Sequence, residues 1–229
     1  MNAPQTRYIG QEIERTEDSR FLTGRGQFVD DYTPTGLLHA AILRSSVAHG
    51  HLVHVDGAAA LELPGVEAVV TASDLGDQIP TIPIRLAPIA GLERYLQPVI
   101  AHDKVRYVGE PIAVVIARSR AIAEDALAQI ELVIEAIDPV ANWQTAEANQ
   151  ILLFEQNGSN VAARYRVGFG DTDKAFAAAD YVRAATFHSH RHTAAPLETR
   201  GIVAEYDAAA LALLSRLLWR LRHRRAGKA

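Results

Sequence analysis

Apolar and polar positions along this chain fall into short runs that sort by period. Residues 37–44 (Leu-Leu-His-Ala-Ala-Ile-Leu-Arg) are nearly continuous in apolar side chains and predict a largely buried strand. Residues 51–55 alternate weakly and predict another. Residues 56–64 predict a short helix, with Asp56 as N-cap and Pro64-Gly65 as the stop. A strand follows at residues 66–71. Prolines at 80, 83, 88 and 98 then break any regular pattern, so residues 76–98 read as a long loop.

The clearest pattern comes next. Residues 105–108 predict a strand, Gly109-Glu-Pro111 a tight turn, and residues 112–117 a fully apolar strand. Ser119 caps a predicted helix through about residue 129, with Ala123, Ala126, Leu127 and Ile130 at helical spacing. Residues 130–135 alternate as a strand, and strand, helix and strand together give a βαβ-like signal. Residues 139–164 are loop-rich. Residues 171–180 predict a short helix capped by Asp171 or Thr172 and anchored by Phe176, and aromatic and β-branched content makes residues 181–192 a strand. Near the start, Gly24 and Gly26 punctuate a loop leading into a short strand before Asp30-Asp31. No internal repeat is visible.

Composition narrows the chemistry. With 229 residues, 48% hydrophobic and 22% charged, the chain has ordinary globular composition. It contains no cysteine, which removes disulfides, thiolate ligands, iron–sulfur ligation and cysteine nucleophiles from this polypeptide. The start has no signal-like apolar segment, and no apolar run reaches the roughly 18–20 residues of a membrane span. The expected location is therefore cytoplasmic, with neither membrane nor nucleic acid as partner. Net charge is −4, but after Asp207 the only charged side chains are Arg216, Arg220, Arg222, Arg224, Arg225 and Lys228. Before that point 17 basic residues face 27 acidic ones, a balance of −10. Residues 208–229 thus read as a different, unrelated basic tail. Leu214, Leu217, Leu218 and Leu221 stand at helical spacing there, as in a basic amphipathic helix, and out-of-frame translation of a GC-rich gene gives the same composition.

Candidate chemistry is sparse. His188, His190 and His192 would share one face of a strand, about 7 Å apart, and imidazole suits zinc, copper or nickel. No carboxylate between Tyr181 and Leu197 completes such a site. His49, His51 and His54 read as hydrogen-bonding surface residues. Gly24 and Gly26 lack the third glycine and preceding strand of a dinucleotide loop, and no lysine-bearing phosphate loop occurs. Ser45, Ser46 and His49 have no orienting acid or oxyanion device nearby.

Four stretches are more specific. They are Arg15-Thr-Glu-Asp-Ser-Arg-Phe-Leu-Thr-Gly-Arg-Gly-Gln-Phe-Val-Asp-Asp31; Arg44-Ser-Ser-Val-Ala-His-Gly-His51 with Leu63-Pro-Gly-Val-Glu-Ala-Val-Val-Thr-Ala-Ser-Asp-Leu75; Tyr107-Val-Gly-Glu-Pro-Ile-Ala-Val-Val-Ile-Ala117 with Ala123-Glu-Asp-Ala126; and Gly170-Asp-Thr-Asp-Lys-Ala-Phe-Ala-Ala-Ala-Asp180 with Pro196-Leu-Glu-Thr-Arg-Gly201 and Ala204-Glu-Tyr-Asp207. In this order, over residues 7–207, the chain resembles the large subunits of the xanthine dehydrogenase, aldehyde oxidase and carbon monoxide dehydrogenase family.

That resemblance implies an α/β (α+β) fold: a hammerhead-like mixed sheet with packed helices, plus the start of a molybdopterin-binding domain. It implies an extension over residues 1–19, the hammerhead domain over 20–137, and a linker with the first part of the molybdopterin-binding domain over 138–207. It further implies an oxidoreductase that works with molybdenum on a molybdopterin cofactor of the cytosine dinucleotide type. Its partners would be an iron–sulfur subunit, an FAD subunit and the remainder of the molybdenum subunit. His192, Glu198 and Arg200 fall where the family approaches its cofactor, and Glu198 with Arg200 reads equally as an ion pair that orders a loop. The family often places a glutamine there, whereas His192 stands at about that position and residues 188–198 contain none. The glycine-rich loops and late glutamate base of the family have no counterpart here. The expectation is a frame change or early end in the coding sequence, and a chain that is inactive and binds no cofactor alone. The other reading is a non-catalytic subunit-interaction module or a degenerate remnant.

Overall fold

The computed structural model describes residues 10, 12–84, 89–190, 192–193, 195–196, 200–207 and 212–217, with residues 206–207 and 212–217 described by backbone alone. Two compact units emerge: Gly36–Arg183, and Met1–Thr35 with Ala184–Ala229. No helix among the described residues is long and apolar enough to cross a membrane.

In the smaller unit, α1 (Asp18–Leu22) is followed by a 3-10 turn at Val29–Asp31, where the loop-to-strand pattern predicts a strand. The aspartates explain the difference. Asp31 accepts a hydrogen bond from the Phe28 amide at 2.8 Å, which curls the backbone into a turn. Phe21 and Phe28 stack at 5.9 Å between centroids. A Cβ at Gly26 would stand 2.7 Å from the Phe21 ring, so glycine permits that approach.

The larger unit runs β1 (His39–Arg44), β2 (Gly50–Asp56), α2 (Ala58–Leu61), β3 (Val66–Thr71), β4 (Lys104–Val105), β5 (Pro111–Ala117), α3 (Arg120–Leu127), β6 (Glu131–Ala136), α4 (Trp143–Glu147) and α5 (Thr172–Ala177). Its strands form two sheets in the orders β1-β5-β3 and β4-β2-β6, and every pairing is antiparallel. The α/β class stands. The βαβ expectation does not, because β5 and β6 lie in different sheets. Helix α3 turns back over the first sheet with Ala123 and Ala126 buried, while Leu132 and Ile134 of β6 pack on another cluster.

Strand β5 organises both cores, because side chains alternate along it. Ala113, Val115 and Ala117 join Ala60, Ala123, Ala126 and Ile130 in one cluster. Ile112 points the other way and joins Ala101 and Val105 in the second, against Val47, Leu52, Leu132 and Ile134. Burial of a side chain the size of Ile112 or Val115 stabilises by about 1.5–3 kcal/mol. The α3 N-cap is Ser119, whose Oγ accepts from the Ile122 amide.

Several boundaries move. Gly57, not Asp56, is the N-cap of α2, although the Asp56 carboxylate still accepts from the Ala58 amide at 2.9 Å. Of the predicted strand at 105–108 only Val105 pairs, as the second residue of β4 (Lys104–Val105). Gly109 adopts φ +93°, a left-handed turn that leads the chain into β5. Asp171 caps α5 as expected, but Phe176 is exposed instead of buried as an apolar anchor. Residues 181–190 form no strand and are exposed. In the smaller unit β7 (Ile202–Asp207) pairs antiparallel with β8 (Ala212–Leu217). The leucine spacing of the tail therefore does not produce a helix at residues 212–217. The β7 backbone needs hydrogen-bond partners, and the following segment supplies them as a strand.

Candidate functional site

His192 and Arg200 are both exposed, and neither makes a hydrogen bond or ion pair among the described residues. Glu198, the third residue expected near the cofactor, lies outside the described residues. Between them Ala195 holds φ +43°, a left-handed conformation that L side chains rarely adopt, immediately before Pro196. His188 and His190 are exposed as well, and among the described residues no group of three histidine, aspartate or glutamate side chains could hold a metal.

Charged side chains converge instead in the larger unit, around β4. Lys104 and Arg106 stand two positions apart and reach toward residues 153–155. The Lys104 side chain is 3% exposed and its Nζ donates to the Glu155 carboxylate. Arg106 donates from Nε to the Leu153 carbonyl at 2.8 Å, and its guanidinium lies over the Phe154 ring, 4.6 Å from the centroid. Glu110 is buried and accepts from the Arg106 amide with Oε2, leaving Oε1 without a partner. Burial pushes its carboxyl above the usual carboxylate range, against the pull of the Arg106 amide and charge.

His49 belongs to the same neighbourhood. It is buried, its Nδ1 meets the Asp138 carbonyl at 2.9 Å, and its Nε2 has no partner. Burial lowers the pKa of this imidazole; the bond to Asp138 opposes that and the nearby Lys104 charge adds to it. Ser45 is also buried, but its Oγ is used by the Val47 backbone in a local turn. No nucleophile is activated here.

The cluster was not legible as a site in the sequence. A Lys-x-Arg alternation just before Gly-Glu-Pro was the available signal, and it needs the strand β4 to acquire meaning. An open cleft of about 880 Å³ adjoins it, with Arg94, His102 and Arg106 in its lining alongside Asp77 and Asp103. Those opposed charges leave no single-sign field to select an anion or a cation.

The described residues of this set do not by themselves enclose a molybdenum–pterin group. Such a cofactor needs a walled cradle of convergent hydrogen-bond donors, and His192 and Arg200 are open to solvent. The buried cations near Phe154 are already engaged by protein groups. What the arrangement can do is hold one piece of backbone against another.

Two family models match the chain. The aldehyde oxidase and xanthine dehydrogenase a/b hammerhead domain covers residues 23–137, and the molybdopterin cofactor-binding domain covers residues 153–223. The second match runs through residues 208–223, part of the segment whose composition sets it apart. The nicotine 6-hydroxylase large subunit of Paenarthrobacter nicotinovorans is 40% identical, over 87% of this chain and 24% of its own length. The carbon monoxide dehydrogenase large chain of Afipia carboxidovorans is 34% identical, over 87% of this chain and 26% of its own. Among solved structures, quinoline 2-oxidoreductase from Pseudomonas putida 86 superposes with a TM-score of 0.78 at 35% identity, over 91% of this chain and 26% of that one. The chain thus spans about a quarter of the length of the relatives it matches. With the hammerhead model matching half its residues and 40% identity to a hydroxylase large subunit, the chain belongs to the aldehyde oxidase and xanthine dehydrogenase family of molybdenum hydroxylase large subunits.

Proposed function

We propose that this chain is the scaffolding part of a molybdenum hydroxylase large subunit: a hammerhead domain over residues 20–137, then a linker and the first part of the molybdopterin-binding domain over residues 138–207. In this reading the chain contributes a wall against which the cofactor region is built and carries no catalytic group of its own. Residues 208–229 stand apart as a basic tail. The whole protein would be a cytoplasmic oxidoreductase using molybdopterin, of the cytosine dinucleotide type, with molybdenum. It would work with an iron–sulfur subunit, an FAD subunit and the remainder of the molybdenum subunit; a related protein is itself named as a subunit of a dehydrogenase complex. His192, Glu198 and Arg200 would border the cofactor only when that remainder is present.

One observation carries this reading: within the matched molybdopterin-binding segment, His192 and Arg200, the two candidate residues that the structure describes, are exposed. Purified chain analysed for molybdenum and pterin provides the test. Substoichiometric traces of both are expected, and one equivalent of each per chain would overturn the scaffold reading.

A further inference from the structure

Between the two family matches lies a seam, residues 138–152, and the structure shows how it is closed. Lys104 and Arg106 are two apart at the end of a strand, so they project to the same side while Val105 projects into the core. The side they share faces residues 153–155, the first three of the molybdopterin-binding match. Each of those residues offers a different acceptor: a carbonyl at Leu153, a ring face at Phe154, a carboxylate at Glu155.

The held segment is itself preformed. Asn160 closes the loop from within, its Oδ1 accepting from the Leu153 amide at 2.9 Å and its Nδ2 donating to the Ile151 carbonyl at 2.7 Å. Asn149, at φ +55°, accepts from the Asn160 amide at 2.7 Å. Further bonds fasten this loop to residues 94–95, where Tyr95 donates its hydroxyl to the Ser159 carbonyl at 2.9 Å and Arg94 accepts from Asn157 Nδ2 at 2.8 Å. Tyr95 also meets the Phe154 ring edge-on at 5.6 Å, so Phe154 has Tyr95 at its edge and Arg106 over a face.

We propose that Lys104 and Arg106 are positioning residues, a two-pronged clamp that fixes residues 151–161 on the hammerhead body and so sets where the molybdopterin-binding region starts. The role in cofactor placement rests on the function proposed above; the clamp itself does not. The consequence for domain anatomy is that the hammerhead body physically includes residues 142–161. Glu110 acts through Arg106 by receiving its backbone amide from behind.

The ion pair is asymmetric, and this gives the proposal a distinctive signature. Lys104 is buried while the Glu155 side chain is 58% exposed. Removing the carboxylate strands a buried ammonium; removing the lysine releases a carboxylate that water can solvate. Amide hydrogen exchange in the intact chain reads the difference. Glu155→Ala and Arg106→Leu are expected to speed exchange across residues 151–161 by about tenfold or more, the loss of one charge-assisted hydrogen bond. Lys104→Met should have a smaller effect than Glu155→Ala, and Arg118→Ala, which breaks the exposed Arg118–Glu67 pair, none. Strand β5 should keep its protection throughout. Unchanged exchange at residues 151–161 in both Glu155→Ala and Arg106→Leu would overturn the clamp, as would equal loss of protection in β5 with Lys104→Met. Molybdenum content does not enter this readout, so the clamp and the scaffold reading fail separately.

Discussion

His49 Nδ1 lies 2.9 Å from the carbonyl oxygen of Asp138, joining the start of β2 to the chain just beyond β6. A carbonyl only accepts, so Nδ1 carries the proton and the buried Nε2 is a bare lone pair. Protonating that nitrogen would bury a charge and place a third cation beside Lys104 and Arg106, with Glu155 the opposing charge. The imidazole is therefore held neutral.

The sign of the resulting pH dependence follows. With the folded-state pKa below the ordinary 6.5, the contribution of His49 is complete above pH 6.5 and is lost as pH falls through the folded value. Thermal melts of wild type and His49→Asn, which keeps a donor for Asp138, should diverge at neutral pH and converge on acidification below 6.5. A constant difference across pH 5–8 would contradict this assignment (the range in which histidine titrates).

Gly50 sits where β2 is pinned between β4 and β6. A Cβ there would stand 2.7 Å from the Glu135 carbonyl oxygen and 2.7 Å from Ile134 Cγ2. Backbone cannot yield as a side-chain tip does, so Gly50→Ala should destabilise by about 1–3 kcal/mol. Urea midpoints measure it.

Ile112 fills the second cluster and is 1% exposed. Truncation to alanine removes that packing and leaves a void, with an expected loss of about 2–5 kcal/mol. The same urea titration should show a lower midpoint with an unchanged slope.

Tyr165, Val167 and Phe169 alternate along an irregular segment and are 82%, 86% and 99% exposed. Such apolar surface is expected to drive association of the isolated chain. Replacing all three with serine should shift sedimentation toward monomer while leaving the melting temperature within about 3–6 °C, since each surface change away from packed features alters stability by about 0.5 kcal/mol or less. Unaltered association would assign it to another surface.

Much of the hammerhead body is legible in the sequence. Residues 112–117 are apolar enough to identify a central strand, and Ser119 marks its helix start because a hydroxyl before an apolar-periodic run has few other uses. What escaped was long-range. Nothing local distinguishes a strand that pairs with its neighbour in a βαβ unit from one that crosses to a second sheet, as β6 does. The spacing of Leu214, Leu217 and Leu218 satisfies a helical period, yet residues 212–217 answer to β7. The clamp was hidden for the same reason: Lys104 and Glu155 are 51 positions apart, and burial of a lysine is decided by the fold around it. Of the residues singled out near the cofactor, two are described and stand in the open, a placement that single-sequence reading does not address.

Strand β5 serves two masters, with odd-numbered side chains in one apolar cluster and Ile112 in the other. Neither cluster can come apart without dislodging a wall of its neighbour. Heat or denaturant should therefore meet one cooperative body in which the helix-covered sheet and the β4-β2-β6 sheet surrender together.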